Sequence, residues 1–127
     1  MDLSSVNSTL NKLSGDIKRY LDNPPKMNGA DYQQMQDPKY MQNQYNEVVQ
    51  RFGDLLDLIR EIEYFISLCR KGIKLLSGNS ELEQAQKSKL KGAIDLIKEL
   101  SNPLYTEKER IKTFEMFYRG LSNKRDF

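Results

Sequence analysis

At 127 residues the chain is long enough for one domain with its own core and too short for two. A formal net charge of +2 excludes both a polyanion and a histone-like polycation, and a single cysteine, Cys69, excludes an intramolecular disulfide and with it a stapled secreted scaffold. The charge is unevenly spread: Lys and Arg number 7 against 10 Asp and Glu in residues 1–63, and 13 against 8 in residues 64–127, so an anionic partner is expected to meet the second half.

The opening stretch MDLSSVNSTLNKL has no continuous apolar core, and no run anywhere is long enough to span a bilayer. We therefore expect no signal peptide, no transmembrane segment and no membrane partner, and a cytoplasmic setting or the inside of a virion. The first predicted element is a helix with Leu3, Val6, Leu10, Leu13, Ile17 and Tyr20 or Leu21 at alternating steps of three and four, capped by Ser4 or Ser5. It stops at Pro24 and Pro25, which cannot continue a helix and push the preceding residue out of the α region. Residues 23–37 read as a polar linker loop carrying Met27, Tyr32 and Met35, either folded back over the bundle or in contact with a partner.

Asp37-Pro38 restarts the chain as an N-cap with proline at the first helical position. From there Met41, Tyr45, Val48, Phe52, Leu55, Ile59, Ile62, Ile66, Cys69, Ile73 and Leu76 keep the four-three alternation of a coiled-coil seam, which predicts one continuous helix over about 39–76 in spite of Gly53 and Gly72. Such a helix spans about 57 Å, far beyond the ~14 Å radius of gyration of a compact domain of this length, so the molecule is expected to be elongated or to project a helix to a partner. Leu56, Leu58, Phe65 and Leu68 widen the apolar face, which requires at least two neighbouring helices.

Ser80 with Glu83 and Thr106 with Glu109 form two capping boxes. The first starts a helix over about 81–100 with Leu82, Ala85, Leu90, Ala93, Ile94, Ile97 and Leu100 inward, ended by Pro103; the second starts a C-terminal helix over about 107–119, with Ile111, Phe114, Phe117 or Tyr118, and Leu121 inward and Gly120 as C-cap. The predicted fold is thus a single all-α domain over 1–127, an elongated four-helix bundle in which the long central helix forms an antiparallel hairpin with its successor.

Chemistry-bearing motifs are sparse. With no histidine in the chain, general acid or base work would fall to carboxylates, lysines, tyrosines or Cys69, and Cys69 sits in the apolar seam as a small buried hydrophobe. Asp54, Asp57 and Glu61, with Arg60 among them, recur as a solvated polar stripe, and the Glu-x-x-His pattern of helical metal sites is missing. We expect no catalytic residues, no metal, no cofactor and no small-molecule substrate. The function this points to is a non-enzymatic helical assembly or adaptor subunit, of a viral or phage particle or another multi-subunit machine. It would bind a protein partner or form a homo-oligomer through Met41, Tyr45, Val48, Phe52, Leu56, Leu58, Phe65 and Leu68. The alternative is a small oligomeric nucleic-acid-binding accessory protein, with Lys87, Lys91, Lys98, Lys112, Arg119, Lys124 and Arg125 on phosphates and Tyr118 against a base.

Overall fold

The computed structural model describes residues 3–24 and 37–125, and there the chain is all-helical. Three helices follow one another: α1 (Leu3–Asp22), α2 (Pro38–Leu75) and α3 (Glu81–Arg125). Each pair of helices is in contact: α2 and α3 pack together most extensively, and α1 packs on both, more on α3 than on α2. The linker over 25–36, with its Met27, Tyr32 and Met35, lies outside the described residues.

Helix α1 forms because its three-four apolar spacing buries Val6, Leu13, Ile17 and Tyr20, with Leu3, Leu10 and Leu21 packed at the margin. Helix α2 starts where the sequence placed it. The Asp37 backbone is extended, its carboxylate accepts from the Lys39 N–H at 3.0 Å, and Pro38 occupies a position whose N–H has no helical partner. The helix ends at Leu75, followed by an extended Leu76 and by Gly78 at φ +75°, a left-handed conformation that side chains disfavour.

Helix α3 begins with the expected capping box: the Ser80 hydroxyl accepts from the Glu83 N–H at 3.1 Å. The Glu83 carboxylate reaches back over the turn, accepting from the Gly78 N–H (3.0 Å), the Asn79 N–H (3.2 Å) and the Ser77 hydroxyl. These bonds, that of Ser77 foremost, hold the carboxyl below the usual carboxylate range.

The fourth helix is the main correction to the expected fold. Residues 81–100 and the C-terminal segment form one helix of 45 residues with Pro103 inside it, so the described residues build three helices rather than four. Pro103 has no N–H to offer the carbonyl four residues back, a defect of about 3 kcal/mol in a helix interior. It is outweighed by the seam, because Leu90, Ile94, Ile97, Ser101, Leu104, Lys108 and Ile111 keep steps of four and three through the proline, with Leu104 and Ile111 fully buried beyond it. A buried leucine or isoleucine contributes about 1.5–3 kcal/mol, and ending the helix at Pro103 would take both off α2. Ser101 is tolerated on this apolar seam because its hydroxyl bonds the Lys98 carbonyl of its own helix at 3.2 Å. Thr106 and Gly120, expected as caps, lie inside α3, and the Glu109 carbonyl accepts from the Thr113 hydroxyl at 3.0 Å.

Cross-contacts set the topology. Gly72 of α2 abuts Leu90 of α3, the Tyr105 hydroxyl donates to Glu63 at 3.3 Å, and Tyr118 stacks on Tyr45 with ring centroids 4.3 Å apart. As numbers rise along α3 they fall along α2, which is the antiparallel hairpin expected. Helix α1 also runs antiparallel to α2: Lys12 pairs with Glu61 at 3.8 Å, and at its C-terminal end the Arg51 guanidinium lies 5.3 Å over the Tyr20 ring and donates to the Asn23 carbonyl. Residues 38–50 of α2 therefore run on past the end of α1 by about 20 Å, accompanied among the described residues by α3 alone.

Candidate functional site

The residues expected to meet a protein partner are largely used inside the chain. Met41, Val48 and Phe65 are buried; Phe52 and Leu58 pack against the core; Tyr45, Leu56 and Leu68 are half-buried. Both neighbouring helices contribute: the 45-residue α3 lies along the seam of α2 as far as the Tyr45–Tyr118 contact, and α1 borders Leu58, Phe65 and Leu68. Phe65 and Leu68 line an apolar groove of about 280 Å³ between α1 and α2, with Val6, Leu13 and Tyr64, and with Lys12 and Glu61 at its mouth.

Apolar surface remains elsewhere. Leu75 at the end of α2 is 77 % exposed and Leu82 at the start of α3 is 69 % exposed, one on each side of the hairpin turn. Leu96 and Leu100 are also at the surface further along α3. Leu82 and Leu100 were expected to face inward with Ala85; all three are exposed, because the seam of α3 follows Leu90, Ile94 and Ile97 and leaves them on its shoulders. A leucine chosen for spacing from either neighbour cannot be assigned a side until the partner helices are placed.

The cationic residues divide into groups. Lys91, Lys98, Tyr105 and Lys112 recur every seven residues and so form one line along α3, and Tyr105 ties that line to Glu63 on α2. On α2, Val49, Leu56, Glu63 and Arg70 recur with the same period. Leu58 and Phe65, which border α1, are two residues on from Leu56 and Glu63, about 160° around the helix. The two lines thus face each other across the side of the hairpin opposite α1. Lys87 belongs elsewhere: it lies over the Gly78 turn, its ammonium 3.2 Å from where a Gly78 Cβ would stand. Tyr118 is half-buried, one face of its ring covered by Tyr45 and its hydroxyl 3.5 Å from Gln42. Arg119, Lys124 and Arg125 continue the α3 backbone, and their side chains lie outside the described residues. The seven-residue recurrence of Lys91, Lys98, Tyr105 and Lys112 is visible in the sequence and marks the flank; reading the lysines as a cluster obscured it.

The acidic stripe is solvated as expected, with Asp57 on Arg60 at 3.5 Å and Glu61 on Lys12, exposed pairs worth about 0–1 kcal/mol each. Cys69 is fully buried in the core, and burial pushes its thiol up. Burial likewise raises the Tyr20 phenol, with the Glu107 charge adding to it. No group of His, Cys, Asp or Glu suited to a metal ion occurs among the described residues, and no described helix is long and apolar enough to cross a membrane. No protein-family model, curated protein or solved structure matches the chain.

Proposed function

We propose that this protein is a non-enzymatic assembly or adaptor subunit that associates with copies of itself through helix packing, as part of a larger particle or machine of which a viral or phage assembly is one setting. The observation that supports this most directly is the pair of leucines at the hairpin tip. Leu75 and Leu82 stand in water on either side of the turn, although burying each would be worth about 1.5–3 kcal/mol. Single exposed leucines are ordinary, but two flanking one turn, with Leu96 and Leu100 also exposed along α3, support a contact site at this end of the hairpin. The test is sedimentation of the full chain beside Leu75→Asp/Leu82→Asp. The variant keeps its helix content, because neither side chain is in the core, and sediments at a lower mass. Equal masses for both would refute the reading.

A second reading has its own support. The line of Lys91, Lys98 and Lys112 suits a polyanion, and a nucleic-acid-binding accessory protein would use it on phosphates. Three phosphate contacts would give binding to a mixed-sequence duplex a log-log salt slope of about −3. Binding that is undetectable at low salt removes this reading.

A further inference from the structure

We infer that the open side of the α2–α3 hairpin, opposite α1, docks an acidic amphipathic helix of a partner protein; this deepens the adaptor reading and rests on it. The side already occupied shows how the hairpin takes a helix. There α1 lies along α2 and α3, pressing Val6, Leu13, Ile17 and Tyr20 into the groove, while at the rim its Lys12 meets the acidic Glu61 of α2. At that contact guest and rim are opposite in sign.

On the other side the groove has no guest among the described residues. Its apolar part is Val49 (44 % exposed), half-buried Leu56, Tyr105 (37 % exposed) and Met116 (74 % exposed). Its rim carries Arg70, Lys91, Lys98 and Lys112, which outnumber the acids beside them: Glu63, engaged by Tyr105, Glu109, paired with Lys112, and Asp95. By charge complementarity of the kind Lys12 and Glu61 show, the matching guest carries carboxylates. From Lys91 to Lys112 the rim is about 32 Å long, the length of a helix of about 21 residues, and the furrow between two helices packed 8–10 Å apart is of a width that seats a third.

A nucleic acid fits this surface less well. Asp95 follows Lys91 by four residues and precedes Lys98 by three, Glu109 sits 3.7 Å from Lys112, and Glu63 holds Tyr105, so carboxylates interrupt the cationic line along its length. A continuous row of phosphates would meet each of them. Side chains on a helix, placed position by position, can pair with the lysines and avoid the acids.

The experiment uses the full chain and two labelled synthetic peptides of about 21 residues, the length set by the rim. Both have leucines at alternating steps of three and four; one has Glu on both flanks, its twin has Lys. Fluorescence anisotropy should show saturable binding of the Glu peptide and none of the Lys twin. Lys91→Glu/Lys98→Glu should weaken it by at least about tenfold, while Lys71→Glu, an exposed residue off this groove, leaves it unchanged. Circular dichroism checks that both variants keep their helices. The inference is overturned if the Glu peptide fails to bind at about 1 mM, the range of the weakest specific contacts, or binds the double variant equally well. It is equally overturned if a mixed-sequence oligonucleotide binds through these lysines and the peptide does not. A chain that self-associates and ignores the peptide loses this groove and keeps the adaptor reading; a monomer that binds it in a lysine-dependent way keeps the groove and loses self-association.

Discussion

Gly72 of α2 faces Leu90 of α3 so closely that a Cβ at Gly72 would stand 3.1 Å from the Leu90 Cδ1. Gly53, the other glycine in the interior of the same helix, has nothing among the described residues within 4 Å of its Cβ position. Two glycines with the same local effect on a helix therefore differ in what they do for the fold. Gly53→Ala should stabilise the protein by about 0.5–1 kcal/mol, the usual gain at an unobstructed helical site. Gly72→Ala should fall short of that gain by about 1 kcal/mol or more, because buried Leu90 has to move to admit the methyl group. Urea unfolding of the two variants checks this, and equal gains would mean that the helices do not approach closely at Gly72.

Pro103 separates a continuous α3 from two helices joined by a turn. In the continuous helix Pro103→Ala restores a backbone hydrogen bond and should raise stability by about 1–3 kcal/mol and increase helix content. Were the proline needed to stop one helix and start another, the same change would lower stability. Circular dichroism with urea unfolding distinguishes the two.

The Tyr20 hydroxyl is buried and has no hydrogen-bond partner among the described residues, while its ring lies under the Arg51 guanidinium. An unsatisfied buried hydroxyl carries a desolvation cost without return, so Tyr20→Phe, which keeps the ring, should be neutral to stabilising by about 1 kcal/mol. Tyr20→Ala should lose about 3–5 kcal/mol, as large-to-small changes of aromatic residues in cores do. A loss on going to Phe would show that the hydroxyl has a partner in solution.

Glu83 links the hairpin turn to pH. Its carboxyl is held below its ordinary value by the Ser77 hydroxyl and then by the Asn79 and Gly78 N–H groups. A carboxylate with a lowered folded-state pKa stabilises the fold above its unfolded value, and that stabilisation disappears as pH falls through the folded value. Glu83→Gln should therefore cost stability at neutral pH and nothing once the pH is below both values. A mutational cost that is the same at both pH values would remove the turn contacts as the cause.

The parts of the fold legible in the sequence are those decided locally or by one unbroken period. The end of α1 before Pro24, the bounds of α2, the Asp37-Pro38 start, the Ser80 to Glu83 cap and the buried position of Cys69 all belong here, whereas Ser4 and Ser5, expected as caps, lie inside α1. Pro103 misled because the rule that proline ends a helix is local, while the seam that overrides it is long, and its phase is hidden by Ser101 and Lys108, polar residues standing at seam positions. Met41 and Val48 are covered where the continuous α3 runs on toward the start of α2, Phe65 is covered on the α1 side, and Leu75, Leu82 and Leu96 stay outside.

Association through the exposed leucines of the hairpin tip is tested most directly by the mass of the full chain in solution. Light scattering over a concentration series reaching about 100 µM, well within the range of weak specific contacts, should give a mass that rises to a multiple of 14.9 kDa and drops back for Leu75→Asp/Leu82→Asp. A monodisperse 14.9 kDa particle across the whole series, identical for the variant, would contradict it.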